Sequence, residues 1–174
     1  MTLQNFLSNH NLFMLRLFLS SLGACIAYTY RHASHDYWLL MLFVFSLIAM
    51  APAYFRFKQS HADSKGLVTQ ALHWSGGLIT GSIVYAYHVS GRIFHEEAGL
   101  IVLLILALTT YLDGVRTGWR SVFVGIFLVL TAISIAYFDD YIWQLIILAI
   151  LAAIVSHFAN SEVALSKHSS HKFL

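Results

Sequence analysis

Long apolar stretches separated by short polar segments run along most of this chain. Six of them approach the length of about 20 residues that a helix needs to cross a bilayer. The corresponding predicted spans are 11–30, 37–56, 68–89, 97–113, 119–138 and 141–159. The pattern therefore predicts an all-α integral membrane protein, with six transmembrane helices arranged as three helical hairpins. Residues 1–174 would form one transmembrane domain that ends in a short cytoplasmic tail, 160–174.

Each predicted hairpin turns at a tyrosine-rich corner. The three corners are residues 26–30, 83–87 and 135–138, and each precedes a turn that carries histidines or acids. This similarity fits a weak threefold internal repeat of the hairpin. The alternative is that unrelated hairpins have similar corners because tyrosine and tryptophan side chains concentrate where a membrane meets water. In either case, the corners predict an aromatic belt on one side of the membrane.

The composition argues against a soluble fold. Hydrophobic residues make up 59% of the 174 positions and charged residues only 10%, whereas soluble domains carry about 25% charged residues. The net charge is +2 with neutral histidine, and no basic run is present, so we expect no nucleic-acid binding. The single cysteine, Cys25, excludes an intrachain disulfide and a multi-cysteine metal site.

The distribution of lysine and arginine predicts the orientation. Seven basic residues fall in the second and fourth connections and in the tail, against two in the first and third connections. The seven are Arg56, Lys58, Lys65, Arg116, Arg120, Lys167 and Lys172. Because basic loops stay on the cytoplasmic side, both termini should be cytoplasmic and the histidine-bearing turns should face outward. The expected location is a bacterial inner membrane.

The third predicted span carries a stripe of small residues and histidines, which we interpret as a pore or functional seam. The residues of this seam are His73, Gly77, Gly81, His88 and, just beyond the span, Arg92. Glycines four residues apart let another helix approach closely. The seam therefore predicts packing within the bundle, a homo-oligomer or a contact with a partner membrane protein.

A haem bound between histidines is disfavoured. His73 and His88 lie about 22 Å apart on a helix that rises about 1.5 Å per residue. Haem at two levels would need partner histidines at both depths, and only His157 is suitably placed, at one of them. The sequence therefore predicts no cofactor.

Two charged residues lie inside or at the edge of predicted spans. They are Arg16 in the first span and Asp113 at the end of the fourth. Charge at membrane depth is costly and often functional, although arginine can extend its head group toward water. Asp113 is a candidate partner of Arg16, Arg116 or Arg120. A structural ion pair and a gate or ion-coupling role are the two interpretations.

Histidines and acids gather in the turns that are predicted to face outward. The metal-ligand candidates are His32, His35, Asp36, His95, Glu96 and Glu97, and His88, Asp139 and Asp140 lie on the same side. Imidazole and carboxylate groups bind divalent cations, and histidine also titrates near neutral pH. Their spacings match no dedicated metal motif, so scattered, solvated loop residues are the interpretation that the spacing favours.

No catalytic motif appears in the chain, and no catalytic residue is predicted. Neither a Gly-x-Ser-x-Gly elbow, nor His-Glu-x-x-His, nor a phosphate-binding glycine loop is present. The sequence favours a small channel or transporter for an ion, a proton or a small solute. One alternative is a non-catalytic membrane subunit of a larger complex, such as an assembly factor, anchor or sensory module. The other is a metal- or haem-dependent membrane enzyme or redox subunit.

Overall fold

The computed structural model describes residues 9–29, 34–60 and 64–137. These residues form helices, with no strand among them, as the sequence predicts. The helices are α1 (Asn9–Thr29), α2 (Ser34–Ser60), α3 (Ser64–Val89), α4 (His95–Thr117) and α5 (Trp119–Tyr137). The predicted sixth span, 141–159, and the tail, 160–174, lie outside the described residues.

Three of the described helices are long and apolar enough to cross a membrane. They are Ser34–Phe55 within α2, the whole of α4 and the whole of α5. The apolar part of α1 is shorter, Asn11–Ala27. The apolar residues of α3 are interrupted by histidines, glycines and small polar residues. Helix length and composition therefore support a membrane protein, whereas six spans and the predicted hairpin arrangement are not supported.

The helices pack in an order that differs from three separate hairpins. The most extensive contact joins α4 to α5, which belong to different predicted hairpins. Two glycines explain the closeness of this pair. A Cβ atom at Gly114 would collide with the backbone of Ser121 and Val122, and one at Gly125 would lie 2.7 Å from Cα of Tyr111. α2 packs against α3 and α4, and α1 lies against α2 and α5.

Large apolar side chains fill the space between the helices and also cover much of the outer surface. The fully buried ones include Trp38 and Phe45 of α2, Leu103 of α4 and Leu128 of α5. Leu72 of α3 is an example of the many exposed ones, at 67% of its surface. Lipid tails can cover such a surface, so the exposed apolar residues agree with the helix lengths.

Polar clusters occupy the two ends of the bundle. At one end, α1 and α3 finish while α2 and α4 begin; we call it the histidine end, after His35, His88 and His95. At the other end, α1, α3 and α5 begin while α2 and α4 finish; we call it the arginine end, after Arg16. The sequence predicts that the histidine end faces outward.

Candidate functional site

Three histidines from three helices converge at the histidine end. His35 lies in the first turn of α2, His88 in the last turn of α3, and His95 is the first residue of α4. One ring nitrogen of each lies within 4.8 Å of the others. The ring centroids are 4.3 Å apart for His35 and His88, 5.2 Å for His35 and His95, and 4.3 Å for His88 and His95. We call these residues the three-histidine cluster.

A tight turn between α3 and α4 brings the rings of His88 and His95 together, with their planes inclined by 60°. Gly91 has φ +71°, a left-handed conformation that favours glycine. Its N–H donates to the carbonyl of His88 at 2.9 Å, and the N–H of Arg92 donates to the carbonyl of Tyr87 at 3.1 Å. This pair of bonds is a Schellman motif, which ends a helix sharply. α4 therefore starts a few residues later and runs back along α3.

A second glycine of this region, Gly99, lets the start of α2 pack against α4 beside these histidines. A Cβ atom at Gly99, in the first turns of α4, would lie 2.9 Å from Ser34 Oγ and 3.3 Å from the backbone nitrogen of His35. Because Gly99 has no side chain, α2 can begin directly against α4. Ser34 and His35 are buried there, and His35 keeps only 6% of its surface exposed.

Neighbouring groups orient the imidazole rings. His88 Nδ1 lies 3.3 Å from the carbonyl oxygen of Ile93. A carbonyl only accepts, so this contact places the proton on Nδ1 and leaves the lone pair on Nε2. His35 Nε2 lies 3.3 Å from Oδ1 of Asp36, and the ring of Tyr85 stacks on His35 at 5.9 Å. Carbonyls and carboxylates in these positions are the usual outer partners of metal-binding histidines.

The cluster extends from the protein interior to the surface. His35 is buried, His88 is half-buried and His95 is exposed. An ion or small molecule could therefore reach the ring nitrogens from the histidine end without crossing the packed core. This differs from the expectation of scattered, solvated loop residues.

The other predicted outer ligands have different positions. Among the described residues, the group of possible metal ligands contains only the three histidines. Asp36 touches His35 from an exposed position, and Glu96 is exposed at the start of α4. The carboxylate of Glu97 accepts from the Phe94 N–H at 3.3 Å and so caps α4. His32, Asp139 and Asp140 lie outside the described residues.

The glycine seam of α3 is covered by the chain itself. A Cβ atom at Gly77 would lie 2.7 Å from Cγ2 of Thr109, and one at Gly81 would lie 2.6 Å from Cδ2 of Leu42. His73 Nε2 lies 2.9 Å from the carbonyl oxygen of Thr109. The seam therefore serves packing against α2 and α4, and the predicted contact with a second copy or partner protein is not supported.

The last member of the predicted seam, Arg92, lies just beyond the end of α3. Its guanidinium lies 5.5 Å from the centroid of the Tyr87 ring. Arg92 is exposed in the turn after α3, so it contributes to the surface of the histidine end.

A second polar cluster is buried at the arginine end. Arg16 Nη1 lies 3.8 Å from Oδ2 of Asp113 and donates to Oγ of Ser121 at 2.9 Å. Oδ1 of Asp113 accepts a short hydrogen bond from Nε2 of Gln70. The guanidinium also lies 5.8 Å from the centroid of the Phe45 ring. Of the three candidate partners of Asp113, the structure thus places Arg16 beside it, whereas Arg116 is exposed.

A cavity of about 400 Å³ adjoins this cluster. Apolar residues of α1, α2 and α5 form part of its wall. The polar part comprises Arg16, Asp113, Thr117, Arg120 and Ser121. The bundle therefore has two chemically different candidate sites, one at each end.

Sequence reasoning placed His88 on the same side as His35 and His95, but it did not select these three among the outer histidines and acids, and it missed the role of Gly99. A usable signal was present, because all three histidines lie at span ends that the predicted topology places on one side. No family model, curated protein or solved structure matches the chain. The geometry of the two clusters therefore carries the functional conclusions.

Proposed function

We propose that this protein is a membrane protein that binds a divalent transition-metal ion through His35, His88 and His95. The observation that carries the proposal is the convergence of three imidazoles from three helices to within 4.8 Å. Neutral imidazole is the most common protein ligand for such ions. Zn²⁺ is the best first probe, because it accepts nitrogen ligands and has no geometric preference of its own.

The spacing of the rings is close to what a metal needs. Zn–N bonds of about 2.0–2.1 Å place tetrahedral ligand nitrogens about 3.4 Å apart. The nitrogens of the cluster, which lie within 4.8 Å of one another, would therefore draw together by up to about 1.4 Å on binding. His88 and His95 flank a short turn, so small changes in their side-chain torsions can supply this movement. His35 of α2 is buried against α3 and α4 and would stay in place.

Three protein ligands leave one coordination position for water or another small ligand. Structural zinc sites normally have four protein ligands, whereas reactive or exchangeable sites have three. The exposed position of His95 places the open side toward the solvent. The proposed centre is therefore suited to exchange of its ion or to chemistry on a small bound molecule, and not to holding the fold together.

Transport of the same ion is the second candidate function. It is favoured by the buried polar groups at the opposite end of α3 and α4, where Gln70 meets Asp113. The packed middle of the bundle, which includes Leu42 and Leu103, would have to open between the two ends. In the proposed orientation, the histidine end faces away from the cytoplasm of a bacterial inner membrane.

Metal content of the purified full-length protein tests the main proposal. After incubation with Zn²⁺ and removal of free metal, we expect about one ion per chain for a single such centre. Replacement of His35 or His88 by alanine should abolish this binding. His73→Gln is the matched control, since it removes a histidine of the same helix as His88 but leaves the cluster intact. Equal zinc in the wild type and the His88→Ala variant would refute a metal centre here.

A flux measurement separates transport from binding alone. The full-length protein in liposomes that enclose a zinc-sensitive dye should admit Zn²⁺ faster than liposomes without protein. His88→Ala should remove the difference, and His73→Gln should keep it. Zinc binding without any protein-dependent flux would leave the metal centre and eliminate transport of that ion.

A further inference from the structure

The guanidinium of Arg16 is buried with few of its hydrogen bonds made. Arg16 keeps only 6% of its surface exposed, and a guanidinium has five N–H donors. Nη1 donates to Ser121, whereas Nε finds no acceptor among the described residues. The distance of 3.8 Å to Asp113 is longer than a hydrogen bond. Because burying an incompletely paired charge is costly, a ligand with acceptor oxygens would stabilise this arginine.

The cavity beside Arg16 has room for such a ligand. Its volume of about 400 Å³ falls in the range of small-molecule sites. Its charged lining residues are Arg16, Arg120 and Asp113. Asp113 already accepts from Gln70. The Nε of Arg16, buried without an acceptor among the described residues, therefore favours a ligand with negatively charged acceptor oxygens.

The first turn of α5 adds to this preference. Gly118, Trp119, Arg120 and Ser121 line the cavity, and α5 runs for 19 residues from Trp119. The N–H groups of Gly118 and Ser121 already donate to the carbonyls of Gly114 and Gly118, so this end contributes mainly its helix dipole, which is positive there. Helix starts combined with arginine are a frequent way to bind phosphate.

We propose that this cavity binds a phosphate group, held by the guanidinium of Arg16 together with Arg120 and the first turn of α5. Phosphate offers several acceptor oxygens and suits two guanidinium groups better than a ligand with one acceptor does. The apolar lining, which includes Phe13, Ile48 and Val124, accommodates the apolar part of a phosphate ester. The phosphate belongs either to a phospholipid headgroup or to a soluble phosphate, and the site is independent of the three-histidine cluster.

Direct binding measurements on the full-length protein in a phosphate-free detergent solution test the proposal. The two probes are inorganic phosphate and a short-chain phosphatidylglycerol, and the matching diacylglycerol serves as the ligand control without phosphate. We expect saturable binding of at least one phosphate probe to the wild type. Arg120→Gln and Arg16→Lys should each weaken it by about tenfold or more, because each removes hydrogen bonds to a charged group.

Arg116→Gln is the matched protein control, since it removes an exposed arginine near the same helix end that does not line the cavity. Binding of the lipid alone identifies a headgroup phosphate, and binding of inorganic phosphate alone identifies a soluble source. Binding of both shows that the phosphate group suffices. The proposal is overturned if neither probe binds, if the diacylglycerol binds equally well, or if Arg116→Gln weakens binding as much as Arg120→Gln. Should Arg16→Lys fail to fold, Arg120→Gln decides, because Arg120 is partly exposed.

Discussion

Gly99 of α4 lies directly against Ser34 of α2, so that a Cβ atom at residue 99 would approach Ser34 Oγ to 2.9 Å. This contact fixes where α2 begins, and His35 is the next residue along the chain. The position of His35 relative to His88 and His95 therefore depends on a residue that offers no ligand itself. A small side chain at residue 99 would push the start of α2 away from α4.

Gly99→Ala should weaken zinc binding without unfolding the bundle. We expect a loss of about 10–100-fold in affinity, which is typical when the support of a metal ligand is disturbed. Gly76→Ala is the control, because a Cβ atom at Gly76 meets no atom within 4 Å. Competition between the protein and a zinc-sensitive dye measures both affinities. Unchanged binding by Gly99→Ala would show that the contact with Ser34 does not position His35.

Gly91→Val should destabilise the turn that joins His88 to His95. Gly91 has φ +71°, and a left-handed conformation costs an ordinary residue about 1–2 kcal/mol. A β-branched side chain is especially unsuited to it. Thermal unfolding in detergent should show a lower midpoint, and zinc affinity should fall with it. Gly91→Asn should be milder, since asparagine also ends helices in this conformation; an equal effect of both variants would contradict the explanation.

Hydropathy predicted the helices well because it depends on residues close together in the chain. The predicted span 119–138 corresponds to α5, Trp119–Tyr137, and 97–113 lies within α4, His95–Thr117. The small residues of α3 also predicted close packing. The partners of that packing, Thr109 for Gly77 and Leu42 for Gly81, depend on which helices become neighbours, and hydropathy does not contain this information.

The candidate sites were predictable only in part for the same reason. Arg16 stood among the possible partners of Asp113, but charge alone could not select it over Arg116 or Arg120. The three-histidine cluster joins residues of three helices, so no local motif marks it. Its detection required the close approach of α2 to α4 at Gly99, which a single glycine in an apolar span does not reveal.

Asp36→Asn should lower zinc affinity by acting on His35. The carboxylate of Asp36 lies 3.3 Å from His35 Nε2, and such carboxylates raise the basicity of a ligating imidazole. We expect affinity to fall by about tenfold or more. Glu97→Gln is the control, because it removes the same charge from the same end of the bundle, while its amide oxygen can still accept from the Phe94 N–H. If the two variants lose equal affinity, general charge and not the contact with His35 is responsible.

Asp113→Leu should be among the most damaging single substitutions at the arginine end. Asp113 is 1% exposed, and its loss leaves the Arg16 guanidinium buried without its neighbouring negative charge and Gln70 without its acceptor. Breaking one side of a buried ion pair costs about 3–5 kcal/mol. Reversible unfolding of the full-length protein in mixed detergent micelles measures this free energy.

The double variant Arg16→Met/Asp113→Leu should recover much of that loss, because it removes both buried charges and replaces them with apolar side chains. Apolar replacement of a buried ion pair is often neutral or stabilising, whereas removal of one partner is not. A double variant that is less stable than Asp113→Leu alone would contradict this account. It would mean that Arg16 contributes more through Ser121 and the Phe45 ring than through its pairing with Asp113.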